Sequence, residues 1–233
     1  MMILLWLIRI FHIVKDHINK HEVILHIKEK EKMYAFTSRF ANVVLKIFGR
    51  TKVINKNKLP KDTGYVVACS HIGWVDVVAL GTSLLPNEIH FMAKKELFAK
   101  PQSAKFFYSI NAFPVDRENP GPSSIKTPVK LLKEKKIIGI FPSGTRTSED
   151  VPLKKGAATI ANLARVPIVP AAYSGPTDLK GLLRGKKIHV IFGDPISLKN
   201  EDGTKKDPAD ITKELSDVMA QLQNELDKRG GQK

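Results

Sequence analysis

From Thr51 onward the chain alternates short apolar runs with segments of helical period, and few folds satisfy that alternation. Tyr65–Cys69, Ile89–Ala93, Ile137–Phe141, Ile168–Tyr173 and Ile188–Phe192 read as strands without a polar face. Trp74–Leu85, Ser123–Glu134 and Lys154–Ala164 read as the helices between them. Strands buried on both faces need helices over both. The expected fold is therefore α/β, a mainly parallel sheet covered by helices. Near the end, Asp207 can cap a helix that begins at Pro208. Ile211, Leu215, Val218, Met219, Leu222 and Leu226 form its apolar stripe, and Gly230-Gly231 stops it. Asn55 to Gly64 and Asn200 to Lys206 read as solvated loops.

The 233 residues suit one such domain, residues 51–233, preceded by a helical segment over residues 1–50. Met1 to Val14 are nearly all apolar, too few to span a bilayer and without a basic lead-in or small-residue cleavage site. Met33, Phe36, Phe40, Val43, Val44, Ile47 and Phe48 then recur at helical spacing up to Gly49. The pair reads as a two-helix, membrane-associating motif lying in the interface, with burial in the core as the alternative. A net charge of +15 favours nucleic acid, an anionic membrane surface or phosphorylated substrates as partners. Nucleic acid is disfavoured, because basic and aromatic residues are not interleaved and no reading helix is evident. The single Cys69 excludes an internal disulfide framework.

The chemistry begins after the first long strand, in Ser70-His71-Ile72-Gly73-Trp74-Val75-Asp76. A loop there can fold the imidazole of His71 back so that Asp76 receives one ring N–H. The other nitrogen is then left to take a proton from an alcohol. The spacing alone is weak, since His189 and Asp194 repeat it. Those two sit in strand context, where an odd offset sends side chains to opposite faces.

Further blocks follow other strands. Phe141-Pro142-Ser143-Gly144-Thr145-Arg146 offers a turn with several donors for an oxyanion, and Lys154-Lys155-Gly156 opens the next helix. Lys94-Lys95 and Asn111-Ala112-Phe113-Pro114-Val115-Asp116-Arg117 flank the neighbouring connection. Ligands bind open α/β sheets at the carboxyl ends of the strands, so these blocks should converge into a phosphate pocket.

Taken in order from Val66 to Tyr173, the blocks resemble the glycerolipid acyltransferase family, which includes bacterial 1-acylglycerol-3-phosphate acyltransferases. SHIGWVD is similar to the family's N-H-x-x-x-x-D block, and NAFPVDR to G-x-x-F-V-D-R. FPSGTR is similar to F-P-E-G-T-R, and VPIVPAAY to V-P-I-x-P-V. The resemblance implies His71 as general base, Asp76 as its partner, and Lys94, Arg117 and Arg146 as phosphate ligands. It implies Ser143, Gly144 and Thr145 as the acceptor-site loop, with Pro170 in the nearby wall. It implies transfer of a fatty acyl group from acyl-CoA or acyl carrier protein to lysophosphatidate, without a metal or other cofactor. It also implies a peripheral enzyme on the cytoplasmic face of the membrane. The sequence departs from the pattern at Ser70, where the family has Asn, and at Ser143, where it has Glu. An active Ser branch is expected; another acceptor or low activity are the alternatives.

Three rival readings stand beside this one. Cys69 could act as a nucleophile, although a small buried residue is the plainer account. The acceptor could be glycerol-3-phosphate. The chain could also be a non-catalytic basic module for membranes or nucleic acid.

Overall fold

The computed structural model describes residues 32–116, 119–143, 155–200 and 202–231. Seven strands form one sheet: β1 (Lys52–Ile54), β2 (Tyr65–Cys69), β3 (Ile89–Lys94), β4 (Ala112–Val115), β5 (Ile137–Ile140), β6 (Ile168–Ser174) and β7 (His189–Phe192). Their spatial order is β1-β7-β6-β2-β5-β3-β4. The run from β6 to β4 is parallel; β7 is antiparallel to β6, and β1 is parallel to β7.

The helices are α1 (residues 32–48), α2 (Val75–Ser83), α3 (Pro101–Ser109), α4 (Ser123–Lys133), α5 (Gly156–Ala164), α6 (Leu179–Leu183) and α7 (Pro208–Gly231). Strand alternation decides which covers which face. Tyr65, Val67 and Cys69 of β2 point into one core with Leu45 of α1, Ala79 and Leu80 of α2 and Leu182 of α6. Val66 and Ala68 point the other way, against Leu132 of α4, Ala158 and Ala161 of α5 and Leu215 of α7. All five residues of β2 are therefore buried, which is why the strand has no polar face. Asp207 accepts from the N–H of Ala209 at 2.6 Å and caps α7, and Ile211, Leu215, Met219, Leu222 and Leu226 are its buried stripe.

Four elements are additions to the sequence expectations: β1, α3, β4 and α6. β4 reads as loop because it is four residues long and contains Pro114; the edge of the sheet is where a strand tolerates a residue without an N–H. α3 buries no residue and so carries no inward stripe to betray it.

α1 turns a narrow face to the core and its apolar stripe outward. Tyr34 and Leu45 are buried, and the Tyr34 hydroxyl accepts from the N–H of Ile89 at 3.2 Å. The stripe of Met33, Phe36, Phe40, Val43 and Ile47 instead faces outward, with Phe36 70%, Phe40 64% and Ile47 65% exposed. Tyr34 and Leu45 mark the inward line, with the half-buried Ser38 and Ala41 between them, a line that holds only one strongly apolar residue. Residues 1–14, read as the first helix of the pair, lie outside the described residues.

The buried Tyr65 hydroxyl has no hydrogen-bond partner among the described residues, and burial pushes its pKa up to about 12. Tyr65→Phe is expected to raise the melting temperature by about 2–4 °C, since an unsatisfied buried hydroxyl costs roughly 1 kcal/mol. The unfolded tyrosine ionises near pH 10, before the folded one. Wild-type stability therefore falls as pH rises through 10, and the variant should lack that component. Thermal melts of both proteins at neutral and alkaline pH check this; a lower melting temperature for the variant at neutral pH would contradict it.

Candidate active site

The carboxyl ends of the parallel strands deliver the site. β2 ends at Cys69, and the chain turns through Ser70–Trp74 into α2, whose first turn carries Asp76. The Asp76 carboxylate is fully buried and would be costly there unpaired. It is paired several times over. Oδ2 accepts from the main-chain N–H of Ile72 at 2.6 Å and of Gly73 at 2.9 Å. The helix N-terminus adds a favourable dipole. The Nδ1 of His71 lies 3.1 Å from Oδ1 and 3.2 Å from Oδ2. A carboxylate held by two amide donors is an acceptor, so Nδ1 carries the proton and donates. Nε2 is then the basic nitrogen.

Two neighbours fix this loop. Gly73 packs so tightly on the β6–α6 connection that a Cβ there would stand 2.3 Å from the Thr177 carbonyl oxygen and 2.7 Å from its Cα. Ser70, at the position of the family's Asn, accepts from the N–H of Tyr173 through its Oγ at 3.2 Å. The Tyr173 hydroxyl in turn donates to the Pro176 carbonyl at 2.7 Å. The ends of β2 and β6 are thus tied together beneath the imidazole.

The second block arrives from β5. Phe141 stacks on the His71 ring with centroids 4.3 Å apart, and on Phe91 of β3 at 6.1 Å. The turn that continues through Pro142 to the half-buried Ser143 therefore starts against the imidazole. Lys94 ends β3 at the same edge, half exposed, with its Nζ 3.8 Å from a Glu96 carboxylate oxygen. Lys95 pairs with Asp116 and joins the connections after β3 and β4. Gly144, Thr145, Arg146 and Arg117, assigned from the sequence to the acceptor loop and the phosphate, lie outside the described residues, as does Lys154. Pro170 is buried within β6 opposite Ala68.

His189 and Asp194 do not form a second pair. Asp194 is exposed and bonds Lys58 at 2.8 Å. The pKa of His189 is lowered by burial and then by the charges of Lys52, Lys187 and Arg229. Phe141, Thr177 and Tyr173 are site residues that the motif spacing does not assign. Phe141 and Tyr173 both stand inside motif segments, but an aromatic in or at the end of an apolar strand usually reads as core.

Cys69 is fully buried. Burial first, and then the charge of Asp76, push its thiol far above the ordinary range, so it stays a protonated packing residue rather than a nucleophile. Cys69→Ala is expected to keep activity within a few-fold of wild type, read as kcat/KM for acyl transfer; an inactive variant would restore the nucleophile reading.

A family model described as Acyltransferase matches residues 50–174, a span that holds His71, Asp76, Lys94, Phe141 and Ser143. The chain is 53% identical over 197 residues to the 1-acyl-sn-glycerol-3-phosphate acyltransferase of Bacillus subtilis, covering 84% of this chain and 99% of that one. It is 40% identical to the enzyme of the same name from Streptococcus pneumoniae, over 66% of this chain and 58% of that one. Among solved structures, the 1-acyl-sn-glycerophosphate acyltransferase of Thermotoga maritima shares the fold. Its TM-score is 0.61 at 21% identity, with 85% of this chain and 79% of that chain covered. A relative at this identity, matched along nearly its whole length, and a family match that includes the His71 loop lead to one conclusion: the chain belongs to the acyltransferase family.

Proposed function

We propose that the protein is a 1-acyl-sn-glycerol-3-phosphate acyltransferase, transferring a fatty acyl group to lysophosphatidate and so forming phosphatidate for phospholipid synthesis. The relatives named for that reaction support the substrate class. The observation that carries the mechanism is the buried Asp76 carboxylate, held by two main-chain amides and facing His71 Nδ1. That pairing keeps Nε2 basic, and it stabilises the imidazolium once a proton arrives.

The reaction runs as direct transfer. Nε2 of His71 takes the proton of the acceptor hydroxyl while that oxygen attacks the thioester carbonyl. The new C–O bond forms, the C–S bond breaks, and the imidazolium returns its proton to the departing sulfur. A thioester is already activated, so neither a metal nor an acyl-enzyme is needed. Acyl-CoA and acyl carrier protein are both chemically suitable donors. The acceptor phosphate is met by basic groups on the connections after β3, β4 and β5, with Lys94, Arg117 and Arg146 as the proposed ligands. Ser143, Gly144 and Thr145 are the residues proposed to meet the acceptor.

The site works at a lipid surface in this reading. The outward ridge of α1 exposes Met33, Phe36, Phe40, Val43 and Ile47 on one side of a helix whose other side is core. No helix among the described residues is long and apolar enough to cross a membrane. Shallow insertion from the cytoplasmic face suits such a ridge together with the net charge of +15.

The purified protein should acylate lysophosphatidate in preference to glycerol-3-phosphate when each is offered with acyl-CoA and with the acyl thioester of acyl carrier protein. Equal turnover of both acceptors, or none of either, would sink the assignment. Phe36→Ser with Phe40→Ser should weaken vesicle binding by about tenfold or more, given roughly 1.5–3 kcal/mol for burying one large apolar side chain. Vesicle sedimentation measures this, and wild-type-like binding would remove α1 from the interface.

A further inference from the structure

A second apolar surface lies beside the catalytic edge, and nothing in the mechanism uses it. After β3 the chain makes a 3-10 turn, Lys95–Phe98, and then α3, Pro101–Ser109; neither element contains a buried residue. Four aromatics nevertheless gather there. Phe98 lies 5.5 Å from Phe107 and 5.0 Å from Tyr108 between ring centroids, and Phe106 meets Phe107 edge-on at 5.5 Å. Leu97, Phe106 and Tyr108 remain about half exposed. Surface helices that serve only to connect two strands rarely carry three successive aromatics, because each exposed ring forgoes burial.

The charges around the cluster identify its partner. Lys100, just before α3, and Lys105 on it are exposed, and Lys94 and Lys95 are exposed where β3 meets the 3-10 turn. Exposed aromatics mixed with lysines suit the headgroup level of an anionic bilayer, where rings enter the interface and ammonium groups meet lipid phosphates. Placement agrees with this. The β3–α3–β4 crossover, in the usual right-handed sense, puts α3 on the side of the sheet that α1 and α2 cover. The 3-10 turn lies at the same strand ends as His71, where Trp74 is also exposed.

We propose that Leu97, Phe106 and Tyr108, with Lys100 and Lys105, form a second interfacial contact with an anionic lipid surface. With the α1 ridge it holds the His71 edge against the bilayer. One contact lets a peripheral protein swivel; two on one face fix which edge meets the lipid. The inference extends the membrane reading given above, but its test does not depend on turnover.

Cys69 is buried, so a cysteine introduced at the surface can be labelled selectively. An environment-sensitive fluorophore on Phe106→Cys should shift to the blue and brighten several-fold on phosphatidylcholine vesicles containing phosphatidylglycerol. The same label on Ser216→Cys, exposed on α7 across the sheet, should not respond. Lys100→Gln with Lys105→Gln carries little folding risk. It should lower partition onto those vesicles by about 10- to 30-fold at low salt and leave binding to pure phosphatidylcholine unchanged, from roughly 1 kcal/mol per basic residue near the surface. His71→Ala should bind as wild type does, which separates failure of this contact from failure of the catalytic reading. A Phe106 label that stays unchanged while the protein sediments with vesicles would overturn the proposal. So would a lysine variant that binds as wild type. A label already blue-shifted without lipid would assign the patch to residues 1–31, and a shift that grows with protein concentration alone would assign it to a second copy. Either result would overturn the lipid contact.

Discussion

Replacing His71 by alanine is expected to lower kcat for acyl transfer by about 10²–10⁴-fold, the usual contribution of a positioned general base. The fold should survive, because the ring lies at a strand end rather than in the central core, and its loss frees Asp76 from only one of several partners. KM for the thioester should change little. Asp76→Asn is the informative companion. It is close to isosteric, but an amide cannot serve as acceptor for Ile72, Gly73 and His71 together in the same way. Turned with its NH2 toward the ring, it would favour the tautomer with the proton on Nε2 and remove the base. A loss comparable to that of His71→Ala is expected at neutral pH, with near-native circular dichroism. Measured side by side, the two variants decide whether the pair acts as a unit. Wild-type kcat in His71→Ala would refute the base assignment outright.

The second large effect comes from a residue without a functional group. Gly73→Ala should lower kcat/KM by about 10²-fold, because its Cβ would fall 2.3 Å from a main-chain oxygen of Thr177. Main chain cannot rotate aside as a side chain can. The strain must move either the loop that carries His71 or the β6–α6 connection, and both bear on the imidazole. Since the obstructing atoms are main chain, trimming the Thr177 side chain to Ala should not restore activity. Ile72→Ala, whose contribution to the site is its N–H, should retain most of it. Steady-state kinetics with a melting curve for each variant separates displacement of the loop from unfolding. A fully active Gly73→Ala would mean that the two loops are not held in contact.

The sequence by itself determined the layers of this protein. β2, β3, β5, β6 and β7 lie within a residue of their apolar runs, and α7 has its cap and stripe where Asp207 and Ile211–Leu226 put them. Those signals are local: a strand buried on both faces must be apolar throughout, and a capped amphipathic helix needs only its own residues. The His71–Asp76 pair was legible for the same reason, since five residues span it and one loop closes it.

Only the tertiary structure decided what depends on distant partners. The stacking of Phe141 on His71 joins positions 70 residues apart, and the Gly73–Thr177 contact joins positions more than 100 apart. No spacing rule reaches across such intervals. β4 stayed hidden because an edge position, which excuses Pro114, is a property of the assembled sheet. α1 shows the limit most clearly. Its phenylalanines form the stronger apolar stripe, yet Tyr34 and Leu45 face the core, where Tyr34 meets the Ile89 amide and Leu45 packs among the buried residues of that face. Hydrophobic period tells that a helix has an apolar face; whether protein or lipid covers that face is set by the surface it meets.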